Sequence, residues 1–525
     1  MTESAMVAVA QILSQIEGGE TSEIPGEAVR RLCELAADPD PVVANSGLKM
    51  LFGGLIERLN DSFTPEAARY YPEIFSQVID FCRHRPEGPE GPDGPDGPEG
   101  PDGLNGLNGL NRLDSSDGVR LDRLLNRFNL VDVNALRRRY DRCARTLTPR
   151  QIAPRRLQSL RKVLFPSRVT IGADVAITSV LMDGIRQAVS GGNLRSPGVE
   201  LVLLGSRKLE ELYGGDPLIR VREIGYARGG SLSERLGSWC DLVGLVESEL
   251  EGLATDEYLI IDPDSRLTQL GLLPLIGPKV EEECYYLFPS REYTAPGCSS
   301  LGELASAWIG KLTGKLTGEL IGGQSSARPF LALPESQRRT GAEVVASLRR
   351  AGAENVITVS LGVGGNEEKR VSDHFEADLL RHLTEDAWVI VDQGFSASEQ
   401  EQVERALGPL RAAGLNILKS GEKEAAGDPV SRQASRTGIL TWQGGIGSLA
   451  GLIAASDRYI GYDSSGQHLA AALGIPAITI FATGNSPLFT ARWTPWSRGE
   501  SRVIPAQQNA DPAPLIEKIG RMRWV

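Results

Sequence analysis

The residue types best placed to do chemistry lie between Ser448 and Phe481. This stretch reads as helix, strand, tight polar turn, helix, glycine stop and strand, with the turn at Tyr462-Asp463-Ser464-Ser465-Gly466-Gln467-His468. Asp463 is positioned to N-cap a helix opening at Ser464. Ser464, Ser465 and Gly466 then offer backbone N–H groups with no bulky side chain in the way. The first N–H groups of a helix lack intrahelical partners and carry the positive end of its dipole, so such a start suits an anion, a diphosphate above all. Gly474 reads as the residue that closes the helix, and Pro476 bars its continuation. The same residues also make a plain structural cap, and His468 on the first turn either donates to a phosphate oxygen or packs. Asp262-Pro263-Asp264-Ser265-Arg266, just past another predicted strand, suits either an acceptor contact through Asp262 and Arg266 or a capped turn.

Other chemistries lack their residues. The four histidines (84, 374, 382 and 468) form no HExxH, and neither a GxxxxGK[ST] loop nor a GxSxG elbow occurs. Six cysteines are scattered singly, which predicts buried reduced thiols rather than a zinc ribbon or a disulfide framework. No metal site is expected. Glu281-Glu282-Glu283 reads as a solvated face, and the duplication Lys311–Gly318 as a loop or helix end.

Two sets of alternating strands and helices must carry these turns. The first, over residues 166–325, predicts strands at Arg168–Ile171, Val199–Leu204, Ile219–Ile224 and Glu257–Ile261, with helices at Ile177–Val189 and Ser206–Leu212. The second, over 326–510, predicts strands at Asn355–Ser360, Trp388–Val391, Leu415–Leu418, Arg458–Gly461 and Ala477–Phe481 with helices between them. A closing helix is expected in 511–525. This is the βαβ pattern of parallel sheets covered on both faces, and two such lobes imply a cleft where ligands bind at strand carboxyl ends.

Upstream, residues 1–85 are helix-periodic, with breaks at Pro25, Pro41 and Pro65. A Pro/Gly-rich acidic linker follows at 86–117, where glycine falls at every third position from Gly88 to Gly109. Its period is that of collagen, but an acid precedes each glycine of the proline-rich part, which favours an extended spacer over a triple helix. The helical segment 118–165 changes sign: ten basic residues and one acid, Asp141, lie between Arg137 and Lys162. It suits either an anionic membrane face or a solvated helix face packed by its leucines. The net charge of −12 (56 basic against 68 acidic residues) and the near absence of interleaved aromatics argue against a nucleic-acid partner. Met1–Gln15 lacks the pattern of a signal peptide, so a cytoplasmic protein is expected.

Ser448–Phe481 resembles the signature of the family 9 glycosyltransferases, the heptosyltransferase-like enzymes of lipopolysaccharide and cell-surface glycan assembly. The resemblance rests on the Leu449–Ala454 helix, the Asp463–Gly466 turn with one serine more than usual, and His468–Pro476. Ser360–Arg370 resembles the family's glycine-rich turn followed by Lys-Arg, although Val371-Ser372 replaces Trp-Pro. Phe481–Asn485 and Pro495-Trp496 resemble its downstream elements, and Thr170–Ser179 its first-lobe motif, with Ala173 in place of glycine and Val180 in place of proline. The resemblance spans about 166–510. It implies an α/β GT-B fold, two Rossmann-like lobes facing a cleft, here preceded by an all-helical N-terminal module and the collagen-like linker. It also implies inverting, metal-independent transfer of a sugar, heptose being the best-known case, from a nucleotide-diphosphate sugar to a glycan, lipid-linked or protein acceptor. Asp174 would be the catalytic base. Gly362, Gly364, Gly365, Lys369, Arg370, Asp463, Ser464, Ser465, Gly466 and His468 would hold the donor. Two alternatives stand beside this reading: a nucleotide-sugar epimerase of the same architecture, and a non-catalytic relative acting as a binding or assembly protein.

Overall fold

Twelve strands among the described residues form two all-parallel sheets. In this computed structural model the described residues are 6, 7, 9, 10, 12–14, 26–84, 117–144, 149–190, 198–226, 230–314, 327–364, 366–394, 396–421, 435–482 and 486–522. The collagen-like tract lies outside them. The chain divides into two units, one of residues 1–141, 226–248 and 272–278, the other of 142–225, 249–271 and 279–525. Both sheets belong to the second unit.

The first sheet joins β1 (Lys162–Pro166), β2 (Glu200–Gly205), β3 (Ile219–Glu223), β4 (Tyr258–Asp262) and β5 (Tyr285–Leu287) in the order β3-β2-β1-β4-β5. The second joins β6 (Val356–Ser360), β7 (Trp388–Asp392), β8 (Ile417–Gly421), β9 (Gly438–Gln443), β10 (Arg458–Tyr462), β11 (Ala477–Phe481) and β12 (Ser501–Pro505) in the order β12-β11-β10-β6-β7-β9-β8. β4, β6 and β11 are buried at every position, as parallel strands covered on both faces must be. Strand order reverses between β1 and β4 in the first sheet and between β6 and β10 in the second, whose β8 and β9 are also interchanged at the far edge. There the loops leaving adjacent carboxyl ends diverge and open a crevice. Four loops therefore frame the two crevices: those after β1, β4, β6 and β10.

The expected strand at Arg168–Ile171 is displaced. The strand is β1, six residues earlier, and Arg168–Thr170 is a turn whose Val169 stands at φ 77. A β-branched residue rarely enters that left-handed region, so its alternating apolar pattern misreads as a strand. β5, β9 and β12 had no counterpart in the sequence reading. β5 is only three residues long, and β12 is an edge strand with one buried residue, Ile504, so neither gives a strong pattern.

Helices Glu335–Arg350 and Ile446–Ala455 cross at bare backbone. A Cβ on Gly341 would stand 2.0 Å from the Gly451 carbonyl oxygen, which cannot give way as a flexible side chain would. Gly341→Val is therefore expected to lower unfolding free energy by about 3 kcal/mol, at the upper end of overpacking costs, read as a lower denaturant midpoint.

The first unit is helical where it is described, and it takes a helix from the middle of the chain. Trp239, on helix Leu232–Leu250, packs its ring 6.1 Å from that of Phe128 and donates from Nε1 to the Pro274 carbonyl at 2.8 Å. Arg235 lies over the Phe52 ring at 4.0 Å, and Arg120 pairs with Asp241 at 2.6 Å. Arg83 ties the helices on either side of the linker together. Its guanidinium donates to Asp122 Oδ1 at 2.5 Å, Asn126 Oδ1 at 2.9 Å and the Leu130 carbonyl at 2.7 Å.

Within the basic stretch, Arg139 is buried, Arg137 approaches Glu73 at 3.8 Å and Lys162 pairs with Glu249 at 3.0 Å. Several of its charges are thus engaged inside the protein. No helix among the described residues is long and apolar enough to cross a membrane, and none of the six cysteines, all of them among the described residues, forms a disulfide.

Candidate functional site

The crevice of the second sheet is framed by the turns after β6 and β10, and Lys369 joins them. Its Nζ donates to Asp463 Oδ2 at 2.8 Å and to the Asp463 carbonyl at 3.3 Å. Asp463 is not the helix cap expected of it. Ser464 occupies the N-cap without a side-chain bond, the helix runs Ser465–Leu473, and Asp463 Oδ1 takes Gln467 Nε2 at 2.6 Å. The early N–H groups of this helix thus have no side-chain cap, the condition an anion requires. Gly466 serves packing as well as access, since a Cβ there would lie 2.0 Å from the Tyr459 hydroxyl. Gly474, at φ 73, closes the helix as read from the sequence.

His468 is 4% exposed, and burial drives its pKa down to about 4, so the imidazole is neutral near pH 7. In the turn after β6, Gly362 stands against Glu399 and Gly364 adopts φ 61 with open space beside it. Gly365 lies outside the described residues.

Arg370 turns away from this crevice. Its guanidinium grips Glu376 in a two-pronged pair, Nε–Oε1 2.9 Å and Nη2–Oε2 2.8 Å, and also bonds Glu367 at 2.8 Å and Asp373. The expected phosphate contact is replaced by this cluster, because three carboxylates within six residues outbid a distant ligand for its donors. Arg370→Met would strand the fully buried Glu376 carboxylate. It is expected to cost about 3–5 kcal/mol of stability by denaturant titration while donor affinity stays within a few fold.

The first sheet's crevice is framed by the turns after β1 and β4. Asp174 follows the single turn Ile171–Ala173 rather than ending a strand, and it is 1% exposed. Ser167 Oγ donates to its Oδ2 at 2.5 Å, while the Arg168 N–H at 2.8 Å and Thr178 Oγ1 at 2.9 Å donate to Oδ1. Burial nevertheless raises its pKa to about 6, the three hydrogen bonds and the nearby Arg168 pulling the other way. Arg168 is itself buried, bonding the Pro263 carbonyl at 2.8 Å and Ser290 Oγ at 2.9 Å.

Asp262, offered from sequence as an acceptor contact, is instead a buried turn cap. It accepts Ser265 N at 2.7 Å, Thr268 Oγ1 at 2.6 Å and Tyr285 OH at 2.6 Å, and its burial makes an open acceptor contact unworkable. Arg266 stands half-exposed on the same turn.

The two crevices meet. A Cβ on Gly172 would lie 3.2 Å from His468 Cδ2 and 3.3 Å from Ser465 Cα. Helix Ser465–Leu473 packs against both Ile171–Ala173 and the turn Asp174–Thr178. Asp174, Lys369, Asp463, Ser465 and His468 are thereby gathered around one junction, while Arg370 and Asp262 are not.

Sequence reading missed Ser167, Arg168, Gln467 and Asp392. Gln467 sits four residues after Asp463, the spacing at which two side chains meet across one helical turn, and that signal could have found it. Asp392 ends β7 in register with Ser360, accepts Ser360 Oγ at 3.2 Å and Gly394 N at 3.2 Å, and is raised to about pKa 6 by burial. Among the described residues no group of His, Cys, Asp or Glu is arranged to hold a metal ion.

Residues 437–513, from β9 past β12, match the family model described as glycosyltransferase family 9 (heptosyltransferase). No curated protein matches. Among solved structures, a family 9 glycosyl transferase from Veillonella parvula is similar at 13% identity and TM-score 0.44, covering 69% of this chain and 90% of that one. The E. coli ADP-heptose LPS heptosyltransferase II is similar at 16% identity and TM-score 0.42, covering 68% and 97%. E. coli heptosyltransferase WaaC with ADP-2-deoxy-2-fluoro heptose is similar at 12% identity and TM-score 0.43, covering 68% and 99%. The matched segment, residues 437–513, holds the Asp463–His468 turn, and there the chain is similar to glycosyltransferase family 9 (heptosyltransferase).

Proposed function

We propose that the chain transfers a sugar from a nucleotide-diphosphate donor to a glycan, lipid-linked or protein acceptor, by inversion and without a metal, in a GT-B arrangement of its two sheets. The observation that carries this reading is the contact of Gly172 with Ser465 and His468. It brings a carboxylate-bearing turn from one sheet against an uncapped helix start from the other, although the two segments are separated by most of the chain.

In this reading the acceptor hydroxyl gives its proton to Asp174 as its oxygen attacks the anomeric carbon. A carboxyl near pKa 6 is a stronger base than an ordinary one and is still largely ionised at pH 7. The bond to the nucleoside diphosphate breaks on the opposite face. Its departing charge is met by the N–H groups of Ser465–Gln467 and by Lys369, whose ammonium has three hydrogens and uses two on Asp463. His468 stays neutral beside this charge. The near-complete burial of Asp174 requires the two turns to part before an acceptor enters.

A panel of nucleotide sugars, headed by nucleotide heptoses, tests the reading. A donor that binds the folded chain raises the thermal midpoint with its concentration, and turnover with candidate acceptors then follows. Epimerisation of the donor without an acceptor, or binding with no turnover at all, would overturn it.

A further inference from the structure

The turn that feeds hydrogen bonds to Asp174 is strained, and so is its neighbour. Of the seven non-glycine residues with positive φ among the described residues, four lie in the turns after β1 and β4: Val169 (φ 77), Asp264 (φ 68), Gln269 (φ 50) and Leu270 (φ 55). Valine and leucine rarely enter that region, and such conformations persist only where the surroundings over-determine them. Here the surroundings are cross-links between the two turns. Ser265 Oγ donates to the Ser167 carbonyl. Arg168 sends its buried guanidinium across the gap, where Nη1 donates to the Pro263 carbonyl at 2.8 Å and to Ser290 Oγ at 2.9 Å. Ser290 Oγ passes the link on to Asp264 Oδ2 at 2.7 Å. Arg291 grips the same carboxylate, from Nε to Oδ2 at 3.2 Å and from Nη2 to Oδ1 at 3.3 Å. Ser167 and Arg168 are thus each fixed to the β4 side while donating to Asp174 on the other.

Charge makes the link specific to arginine. Arg168, Arg291 and Asp264 are all buried, and Asp264 is met by Arg291 through two bonds while Arg168 stands 3.9 Å away. Those three alone leave one cation uncompensated, a costly state in the interior. Asp174, whose Oδ1 accepts the Arg168 N–H at 2.8 Å, supplies the fourth charge, and two cations then balance two carboxylates. Burial lowers the Arg168 pKa, and Asp264 and, more weakly, Asp174 hold it up against Arg266 and Arg291. The other titratable groups around the junction lean towards neutrality: burial pushes the Asp262 carboxyl and the Tyr213 hydroxyl up and the His468 imidazole down. Arg168 is therefore the cation that answers Asp174.

We propose that Arg168 is a positioning residue for the base: its guanidinium, anchored on Pro263, Ser290 and Asp264, holds the Ser167–Val169 turn so that the Ser167 hydroxyl and the Arg168 N–H fix the Asp174 carboxylate, and it gives that carboxylate its counter-charge. This rests on the reading of Asp174 as the base.

The carboxylate can be followed directly by 13C NMR in the full chain labelled at aspartate Cγ, the Asp174 resonance being the one missing from Asp174→Asn. In the wild type it is expected to titrate near pH 6. Arg168→Gln removes the charge and weakens the anchorage, and should raise that midpoint by about 1 unit, the lower end of what a neighbouring opposite charge commands. Arg168→Lys keeps the charge, and its one nitrogen can serve the two acceptors that Nη1 serves now, so it should bring the midpoint most of the way back. A merely structural arginine would change the folded fraction and leave the midpoint of the folded chains in place. Equal midpoints in wild type and R168Q overturn the proposal, as does a lysine variant no closer to wild type than R168Q. Should R168Q fail to fold, Ser290→Ala, which removes one anchor and no charge, carries the comparison: a raised midpoint supports the proposal and an equal one overturns it. Turnover separates the two readings. Unchanged turnover in Asp174→Asn ends the assignment of the base, while the carboxyl titration still decides whether Arg168 holds Asp174.

Discussion

Replacing Asp174 by Asn is expected to lower turnover by about 10²–10⁴-fold, while donor binding changes by no more than a few fold. The amide is close in size and shape, and its oxygen can still accept the Arg168 N–H and Thr178 Oγ1 that now reach Oδ1. Ser167, which now donates to Oδ2, can turn its hydroxyl to accept from the new amide donor, so the fold should survive. What disappears is the ability to take a proton. The pH profile gives an independent check. Burial raises the Asp174 pKa to about 6, so the base is protonated, and kcat/KM falls, as pH drops below 6. His468, with a pKa near 4, adds no limb between pH 5 and 8. Asp392 is also raised to about 6. An acid limb that persists in the residual activity of Asp174→Asn therefore belongs to Asp392, and unchanged turnover in that variant rules Asp174 out as the base.

Lys369→Met is expected to weaken donor binding by about 10–100-fold, the range set by one lost hydrogen bond to an ionised group. Its existing partner adds to the loss. Lys369 holds the Asp463 carboxylate at 2.8 Å, so its removal takes a positive charge from the phosphates and uncovers a negative one beside them. Asp463→Asn in the same chain removes the uncovered charge. A double-mutant cycle on donor affinity should therefore show part of the loss restored, with a coupling of about 1 kcal/mol or more. Strictly additive losses would mean that Lys369 and Asp463 meet the donor independently.

The alternation of apolar runs made two parallel sheets legible, because strands buried on both faces, such as Tyr258–Asp262 and Ala477–Phe481, cannot be anything but apolar. The helix after β10 and its glycine stop were legible too, but its start was read one residue early, at Ser464 under an Asp463 cap, where the structure has an uncapped start at Ser465. Tertiary partners were not. Whether Lys369 or Arg370 reaches the crevice depends on where Glu376 and Asp463 lie in space, and two adjacent basic residues look alike in sequence. Asp262 shows the same limit. Its position at a strand end suited ligand contact, yet Tyr285, on the neighbouring strand, and two residues of its own turn satisfy it. The first strand was misplaced because the Val169 backbone conformation is strained, and nothing in the alternation of Arg168–Ile171 reports a positive φ.

Arg83 relieves the sequence between two helices of any duty to hold them at a set distance. Its guanidinium bonds Asp122, Asn126 and the Leu130 carbonyl, so helices Pro65–His84 and Asp117–Arg127 are fastened to each other directly. Doubling a connection between ends already fastened costs only about 0.6 kcal/mol of closure entropy. Replication slippage that adds or deletes Gly-x-x triplets between Gly88 and Gly109 then carries little thermodynamic consequence, which is the circumstance in which a short repeat survives without being selected for its number of copies.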